Sequence, residues 1–376
     1  MSAVMNMKDQ RGLQLQSSEM DPVIWSRLPE ELLEHILYFL PLKTFLNLRS
    51  TCKHFKTLLF SPSFMSKYSS SSSSFSSFIL LSHPQCYRHF PLYDSNLGTW
   101  RYLSRFLSDL LPCAAGVPCT LLSSSNGLFC FSLPTLSSFL VCNLLTKSSR
   151  IIKFPTYRFA FESLTLVSTP LGYKIFMFST KFSSNYSFVY DSRDLCWRTF
   201  AVFESILSDN NHQETVFCNG SLYFTTPEPF SIVTFDLESG KWDRLKCNMP
   251  AEVTFVRLVS DGEGKLYLIG GVGRNGISRS MKLWELSDEG TWIEVESLPE
   301  LMCRKFMSIC YHNYEHVYCF WHQGMICVCC YTWPEILYLK VSRRTWHWLP
   351  RCPSIPEKWS CGFRWFSFVP ELYALV

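Results

Sequence analysis

Apolar positions near the amino end follow the period of a helix. They recur at spacings that place them on one side of a helix with about 3.6 residues per turn, and they are Leu32, Leu33, Ile36, Leu37 and Leu40. Pro29 suits the first turn, because its missing N–H would have no intrahelical partner there. The pattern predicts that this helix ends at Pro41. Two short helices are predicted after it, carried by Phe45, Leu46 and Leu48 and by Cys52, Phe55, Leu58 and Leu59.

This helical segment is too small to bury all of its apolar side chains by itself. Three helices in about 40 residues leave a large part of the chain exposed. The apolar stripe must therefore pack either on the rest of this chain or on a partner protein. Periodicity alone does not distinguish these two interpretations.

From residue 78 onward the pattern changes to a repeated β-unit, in which an apolar strand, a short polar turn and a tryptophan follow one another. Five copies are clear, and they run from Tyr93 to Trp100, Tyr190 to Trp197, Phe235 to Trp242, Trp284 to Trp292 and Leu339 to Trp346. A degenerate copy has Ser149 in place of the tryptophan. The copies recur about every 50 residues, a period typical of a propeller built from four-stranded blades.

Tight-turn residues precede a short strand within the later copies. They are Asn126-Gly127, Leu171-Gly172, Asn219-Gly220, Asp261-Gly262 and Asn313-Tyr314-Glu315. Asn-Gly and Asp-Gly tolerate the positive φ that a two-residue hairpin demands, so each pair predicts the turn between an inner strand and its neighbour.

Six repeat positions predict six blades, although the first unit supplies only three strands before the second begins. A strand-like run near residues 361–369 follows the last tryptophan. We expect it to complete the first blade, because closure removes the open edges of the array. The predicted fold is α+β and multidomain: a disordered tail at 1–21, a three-helix domain at 22–66, a serine-rich linker at 67–77, and an all-β six-bladed propeller at 78–376.

The helical segment resembles the F-box, a module that docks on the Skp adaptor of cullin-based ubiquitin ligases. The matching residues are Leu28, Pro29, Glu31, Leu32, Ile36, Leu40, Pro41, Leu46, Arg49, Cys52 and Phe55. The resemblance implies that the adaptor-binding side chains are Leu28, Pro29, Leu32, Leu33, Ile36, Leu40, Pro41, Leu46, Cys52 and Phe55. Two positions depart from the family pattern: Thr51 stands where valine is common, and Phe55 where tryptophan is common.

The second part resembles kelch repeats in its period, in its tryptophan placement and in the double glycine Gly270-Gly271. This resemblance implies a structural role for Trp100, Trp197, Trp242, Gly270, Gly271, Trp292 and Trp346. Together the two resemblances imply a plant-type F-box/kelch-repeat protein. Such a protein is the substrate-recognition subunit of a Skp–cullin–F-box ubiquitin ligase, and its propeller binds an unknown target protein.

An alternative keeps the fold without the ligase: a kelch scaffold or transcriptional co-regulator that uses the helical module for another partner. The residues that touch a target are not predicted by either interpretation. Arg257, Arg274 and Arg304 lie at predicted strand or loop edges, where they suit an acidic or phosphorylated target and equally suit an ordinary surface.

Composition narrows the class of protein. The chain is 47% hydrophobic, which is enough for a large core. Its net charge of +4 over 376 residues is too small to indicate a surface that binds nucleic acid. Residues 1–24 lack the apolar stretch of a signal peptide, so we expect the 17 cysteines to be reduced, in cytoplasm or nucleus. No run reaches the roughly 18 apolar residues that a membrane helix needs. We expect no nucleic-acid or membrane partner.

Three motifs suggest chemistry, and each has a simpler explanation. Residues 271–276 spell GxGxxG, but the segment after them predicts a strand where a dinucleotide site needs a helix. A copper site like that of galactose oxidase would need histidines from several blades, whereas most lie in the last blade and the helical segment. Zinc-type donors are clustered at His312, His316, Cys319, His322, Cys327, Cys329 and Cys330, but residues 319 and 327 are predicted to lie on different strands of the blade. We therefore expect no metal, no cofactor and no catalytic residue.

Overall fold

The computed structural model divides the chain into two compact units, residues 1–74 and residues 75–376. It describes residues 23, 27–40, 48, 51–58, 61, 64, 77–86, 90–102, 119–155, 163–179, 186–201, 213–355 and 358–376. The predicted tail at 1–21 and nearly all of the predicted linker at 67–77 lie outside these residues.

The N-terminal unit contains helix α1 (Glu30–Tyr38) and helix α2 (Lys53–Leu58). Pro29 directly precedes α1, and its carbonyl accepts hydrogen bonds from the amides of Leu32 and Leu33, each at 3.1 Å. Glu30 and Glu31 in the first turn suit the positive end of the helix dipole. Pro41, and Phe45 and Leu46 of the predicted middle helix, lie outside the described ranges, whereas Leu48 of that helix is described and is helical. None of the described helices has the length and apolar character needed to cross a membrane.

The second unit is a six-bladed β-propeller. In chain order the strands of blade 1 are β1 (Phe78–Ser82), β2 (Pro91–Asp94) and β3 (Thr99–Tyr102). Blade 2 contains β4 (Thr120–Ser125), β5 (Leu128–Leu133), β6 (Ser138–Asn143) and β7 (Ser148–Lys153). Blade 3 contains β8 (Ser163–Thr169), β9 (Gly172–Ser179), β10 (Tyr186–Asp191) and β11 (Cys196–Ala201).

The remaining blades have the same four-stranded antiparallel meander. Blade 4 contains β12 (Val216–Cys218), β13 (Ser221–Thr225), β14 (Ile232–Asp236) and β15 (Trp242–Arg244). Blade 5 contains β16 (Val253–Ser260), β17 (Leu266–Arg274), β18 (Ile277–Leu286) and β19 (Trp292–Ser297). Blade 6 contains β20 (Val317–His322), β21 (Met325–Cys330), β22 (Trp333–Lys340) and β23 (Thr345–Trp348), and helix α3 (Glu300–Cys310) lies between blades 5 and 6.

The last strand, β24 (Arg364–Phe368), joins blade 1. It pairs antiparallel with β1, from Phe78 opposite Phe368 to Ser82 opposite Arg364, so the strand order of this blade is β24-β1-β2-β3. The inner strands of neighbouring blades contact one another around the central axis, as β20 contacts β24 and β24 contacts β4. The blade at the seam is thus built from both ends of the unit, which closes the ring of blades.

The repeated tryptophan marks the outermost strand. Tyr93 lies directly opposite Trp100, Tyr190 opposite Trp197 and Phe235 opposite Trp242 across the last hairpin of their blades. Ser149, the predicted substitute, lies opposite Cys142 in blade 2, and Trp346 lies opposite Leu339 in blade 6. Blade 5 differs: its hairpin is one residue longer and the register shifts near Trp284, so Trp292 pairs with Leu286.

The predicted turns between the first two strands are found in blades 2 and 4, whereas the one predicted for blade 6 is not. Asn126 and Gly127 have φ of 34° and 81° and join the first two strands of blade 2, as Asn219 and Gly220 do in blade 4. The prediction for Asn313-Tyr314-Glu315 was wrong. Asn313 caps a short 3₁₀ turn at Tyr314–His316, which follows α3, and the inner hairpin of blade 6 turns at Gln323-Gly324. Helix α3 precedes the inner strand of blade 6, so the hairpin turn lies later in the chain than predicted.

The double glycine of blade 5 is required by close packing. A Cβ on Gly270 would lie 2.8 Å from the main-chain oxygen of Phe255, and one on Gly271 would lie 2.6 Å from the ring of the same residue. Both distances are below any ordinary van der Waals contact. These two glycines therefore let β16 and β17 pair while the Phe255 ring lies against Gly271.

The core lies mainly between blades. Phe176 and Val167 of blade 3 pack with Leu222 and Phe235 of blade 4, and similar clusters join the other blades. Buried thiols fill part of this space, including Cys329 and Cys330, and the described cysteines are all free. Burial raises the pKa of Cys142 to about 12. Such thiols act as small apolar side chains.

Candidate functional site

Helix α1 has an exposed apolar face. Leu32, Ile36 and Phe39 are 51%, 36% and 69% exposed, and they follow one another at spacings of four and three residues. That spacing places the three side chains on one side of the helix. Exposed apolar side chains grouped in this way are typical of a surface that binds a partner.

The opposite side of α1 is buried. Leu37 is only 3% exposed, and Leu58 and Phe64 are buried as well. Glu34 is buried with them and accepts a hydrogen bond from Ser61 Oγ at 3.2 Å. The sequence predicted a single apolar stripe, but the helix carries two apolar faces with different roles. Leu37 contributes to the core, whereas Leu32 and Ile36 remain available to a partner.

The other predicted adaptor-binding residues have mixed exposure. Leu28, Leu33, Leu40 and Phe55 are half-buried, and Pro29 and Cys52 are exposed. The Phe55 amide donates to Cys52 Sγ at 3.5 Å, and Thr51 Oγ1 donates to the Leu48 carbonyl at 2.6 Å. The two residues that depart from the F-box pattern, Thr51 and Phe55, therefore lie in one locally hydrogen-bonded turn before and within α2.

A second candidate site lies inside the propeller, where two polar residues span the central channel. Gln213 precedes the short inner strand of blade 4. Its side-chain oxygen accepts from the Cys319 amide at 2.9 Å, and its side-chain nitrogen donates to the carbonyls of Cys319 and Leu258 at 3.2 and 3.3 Å. The amide of Gln213 thus joins the inner strands of blades 5 and 6.

Glu214 reaches the other side of the channel. One of its carboxylate oxygens accepts from Ser123 Oγ of blade 2 at 3.3 Å, and the Arg364 guanidinium of blade 1 interacts with it electrostatically. Burial raises the pKa of Glu214 to about 7, although the Arg364 charge and the Ser123 hydroxyl both act to lower it. Blades 2 and 5 lie opposite each other in a six-bladed ring, so Gln213 and Glu214 together bridge the channel.

The seam between blades 6 and 1 has its own polar network. His322, at the end of β20, is fully buried, with Nδ1 2.9 Å from Ser367 Oγ and Nε2 2.6 Å from Ser95 Oγ. Burial lowers the pKa of His322 to about 4, so the ring is neutral at physiological pH. Tyr318 OH donates to the Phe363 carbonyl at 2.9 Å and accepts from the Trp365 amide at 2.8 Å. The zinc interpretation of His322 is replaced by a structural one.

The predicted structural tryptophans lie between blades. Trp197 Nε1 donates to the carbonyl of Lys153 at the end of the outermost strand of blade 2, at 3.0 Å. Trp100 Nε1 donates at 3.0 Å to the main-chain carbonyl of Pro350, which follows the outermost strand of blade 6. In both cases the indole joins its own blade to the blade before it. Trp242 packs on Phe235 of its own blade at a ring distance of 4.7 Å.

Several candidates from the sequence have structural explanations. Arg257 is buried and donates to the carbonyls of Val317, Val256 and Tyr314, so it is not a surface arginine. Arg274 pairs with Glu252, and Arg304 pairs with Glu300. The GxGxxG segment is the β17–β18 hairpin. Within the described ranges, no three histidine, cysteine or acidic side chains are grouped as metal ligands.

Gln213 and Glu214 were not predicted as functional residues. They carry no periodic pattern, because they lie between strands and their partners are on other blades. The only signal in the sequence is that a glutamine and a glutamate stand next to each other just before an apolar strand. Many loops share this feature.

Comparisons with known proteins identify both parts of the chain. A family model for the F-box domain matches residues 25–67, and a model for the F-box associated beta propeller domain matches residues 112–343. The chain is 56% identical over 370 residues to the F-box/kelch-repeat protein At5g43190 of Arabidopsis thaliana, with 96% of this chain and 90% of that protein covered.

Two further similarities are more distant. F-box only protein 6 of Arabidopsis thaliana is 27% identical over 323 residues, with 82% of this chain and 65% of that protein covered. A chain from the solved nidogen/laminin complex is 10% identical, with a TM-score of 0.47, and the match covers 77% of this chain and 98% of that chain. A similarity of this size to a solved structure says nothing about function.

Proposed function

Because the chain belongs to the F-box proteins that carry an F-box associated β-propeller, we propose that it is the substrate-recognition subunit of a Skp–cullin–F-box ubiquitin ligase. The F-box binds a Skp-type adaptor and, through it, a cullin–RING ligase. The propeller binds the target protein. The chain itself performs no chemistry, and it accelerates ubiquitin transfer by holding the target near the conjugating enzyme.

The observation that carries this proposal is the exposed apolar face of α1. Full burial of an aliphatic side chain such as Leu32 or Ile36 contributes about 1.5–3 kcal/mol. Three such side chains on one helix face therefore provide most of the energy of a specific docking contact. The resemblance to the F-box implies that the adaptor also contacts Leu28, Pro29, Leu33, Leu40, Pro41, Leu46, Cys52 and Phe55.

The proposal also includes the organisation of the domains, the type of blade and the location in the cell. The F-box is a unit of three helices, within residues 22–66, and the serine-rich linker at 67–77 separates it from the propeller at 78–376. The blades are of the kelch type, since their outermost strands repeat a tryptophan and blade 5 carries the double glycine. The protein acts in the cytoplasm, the nucleus or both.

The test is co-purification of a Skp-type adaptor with the full chain. We expect the wild type to retain the adaptor and the double variant Leu32→Asp/Ile36→Asp to lose it, because two buried charges without partners oppose docking. Leu301→Asp is a matched control, since Leu301 lies on α3 of the propeller and is 78% exposed. The Leu28→Ala/Pro29→Ala variant tests the start of the F-box in the same assay.

Two outcomes would reject the proposal. If the wild type retains no adaptor, the chain is not a ligase receptor, and a scaffold or co-regulator function takes its place. If Leu301→Asp abolishes binding as strongly as the α1 variant does, the exposed face of α1 is not the docking surface. If the proposal holds, proteins that are ubiquitinated only when the wild type is present are the candidate targets.

A further inference from the structure

A small cavity lies in the central channel beside Gln213 and Glu214. It is partly open, its volume is about 150 Å³, and its lining includes Ser124, Glu214, Cys319, Trp321, Arg364 and Ser367. An apolar cavity of about 150 Å³ holds a molecule of about six non-hydrogen atoms, as engineered cavities that bind benzene show. The space therefore accommodates one short polar side chain.

Two charged groups in the lining have unused hydrogen-bonding capacity. Arg364 is half-buried, and its guanidinium lies 5.3 Å from the centre of the Phe366 ring. Among the described residues it makes no ion pair within 4.0 Å and donates no hydrogen bond. Glu214 uses one carboxylate oxygen for Ser123, and within the same described part of the chain its other oxygen accepts nothing.

The hydroxyl groups of the lining are already engaged. Ser124 Oγ donates to the Ser367 carbonyl at 2.8 Å. Ser367 Oγ lies 2.9 Å from His322 Nδ1. Recognition in this cavity therefore depends on Arg364 and Glu214, one of which supplies donors and the other an acceptor.

The opposite charges of Arg364 and Glu214 determine which ligand groups suit the cavity. A charged ligand group would leave one charge of the cavity without compensation, and an apolar group would leave both unpaired, which costs free energy away from bulk water. A carboxamide satisfies both, because its oxygen accepts from Arg364 and its N–H₂ donates to Glu214. We propose that this cavity binds an uncharged carboxamide, supplied by an asparagine or glutamine side chain of the target protein.

This inference rests on the proposed function, because the carboxamide comes from the protein that the propeller recognises. The test uses the full chain with its co-purified adaptor and a degenerate peptide library on beads. Separate pools have Gln, Asn, Glu, Asp or Leu fixed at the central position. The assay is run at pH 8, where Glu214 is mostly ionised because burial raises its pKa to only about 7. We expect the Gln and Asn pools to be retained at least fivefold better than the Glu, Asp and Leu pools.

Two substitutions change the charge of the cavity and keep its size nearly constant. Glu214→Gln leaves Arg364 unbalanced, so we expect the Glu and Asp pools to become the best retained. Arg364→Met removes the donor for the carboxamide oxygen, because methionine has no N–H group, so we expect the preference for Gln and Asn to disappear. Glu263→Gln is the matched control, because Glu263 is exposed in a turn of blade 5 and should leave the order of the pools unchanged.

The outcomes separate this inference from the ligase proposal. Adaptor retention is measured on the same preparations, so loss of the carboxamide preference with the adaptor still bound rejects only the inference. A wild type that retains all pools equally, or a Glu214→Gln variant with an unchanged order of pools, would overturn it. Thermal melting identifies any variant that does not fold. If a variant does not fold, the order in which the wild type retains the peptide pools decides the question. Retention of the Glu or Leu pools as strongly as the Gln pools would contradict a carboxamide site.

Discussion

Asn143 of blade 2 donates from its side-chain amide to the main-chain carbonyl of Glu371 at 3.0 Å. The same nitrogen is 3.3 Å from the carbonyl of Leu372 and 3.0 Å from that of Ala374. One buried amide thus holds the segment that follows the closing strand β24. Blade 1 is completed by β24, and blade 2 holds the residues after it, so the closure of the propeller extends over two blades.

Asn143→Ala should destabilise the propeller. The substitution removes the N–H₂ group that contacts these carbonyls, and a buried polar group left without a partner costs about 1–3 kcal/mol. We expect a lower midpoint in urea unfolding, with an unchanged slope. Asn248→Ala, at an exposed position of the segment after blade 4, should change the midpoint little. Equal effects of the two substitutions would show that the Asn143 bonds do not stabilise the seam.

The indole N–H of Trp197 should contribute more than that of Trp242. Trp197 donates to the Lys153 carbonyl, whereas Trp242 Nε1 is buried and has no acceptor among the described residues. A phenylalanine keeps an aromatic ring at either position and removes the N–H. We therefore expect Trp197→Phe to lower the free energy of unfolding by about 1 kcal/mol more than Trp242→Phe does. Chemical denaturation of both variants measures the difference, and the reverse order would contradict the role of the Trp197 bond.

Protonation of His322 should weaken the fold in mild acid. Burial lowers the pKa of this side chain from 6.5 to about 4. The unfolded chain therefore takes up the proton at a higher pH than the folded chain. Stability should fall between about pH 6.5 and pH 4, by up to about 3 kcal/mol from this group. In His322→Asn we expect lower stability at pH 7.5 and a smaller decrease over that interval. Parallel pH profiles of the two proteins would show that His322 does not cause the decrease.

Glu214 should have the opposite dependence on pH. Burial raises its folded pKa from 4.5 to about 7, so the folded chain keeps a proton that the unfolded chain releases. Its contribution is most favourable below about pH 4.5 and is lost as the pH rises through about 7. Glu214→Gln removes this titration, so we expect the variant to gain stability relative to the wild type between pH 5 and pH 8. Denaturation series at several pH values measure the gain, and a constant difference would argue that Glu214 titrates normally.

Leu32 and Leu37 should respond differently to truncation. Leu37→Ala creates a cavity at a buried position, and such changes typically cost about 2–5 kcal/mol. Leu32→Ala removes an exposed side chain and should leave amide hydrogen exchange of the N-terminal unit nearly unchanged. It should weaken adaptor binding instead, because the side chain is buried only in the complex. Hydrogen exchange and adaptor affinity, measured on both variants, separate the two faces of α1.

Much of the propeller was predictable because its signals are local. Apolar strand runs followed by polar turns, and the recurring tryptophan, predicted the number of blades and the outermost hairpins, as the pairing of Tyr93 with Trp100 and of Tyr190 with Trp197 shows. The inner hairpin of blade 6 was misplaced because α3 interrupts the repeat there. A helix of eleven residues with Pro299 before it has a recognisable pattern, but the expected strand period obscured it.

The candidate sites were less predictable, because exposure and channel contacts depend on distant residues. The sequence showed that α1 is amphipathic and that its apolar side chains outnumber what so small a unit can bury. It did not show that Leu37 is buried while Leu32 is exposed. Gln213 was unrecognised altogether, although its amide bonds to Cys319, 106 positions away.

By itself, the sequence determined the identity of the two parts, the six-fold repeat and most of the turns, since each depends on φ preferences and on apolar and polar patterning between residues close in the chain. Only the tertiary structure decided which face of α1 stays uncovered and how Gln213, Glu214 and Arg364 come together in the channel. The inner strands of a propeller lie side by side although they are far apart in sequence. Contacts across the axis therefore exist only after the ring has closed.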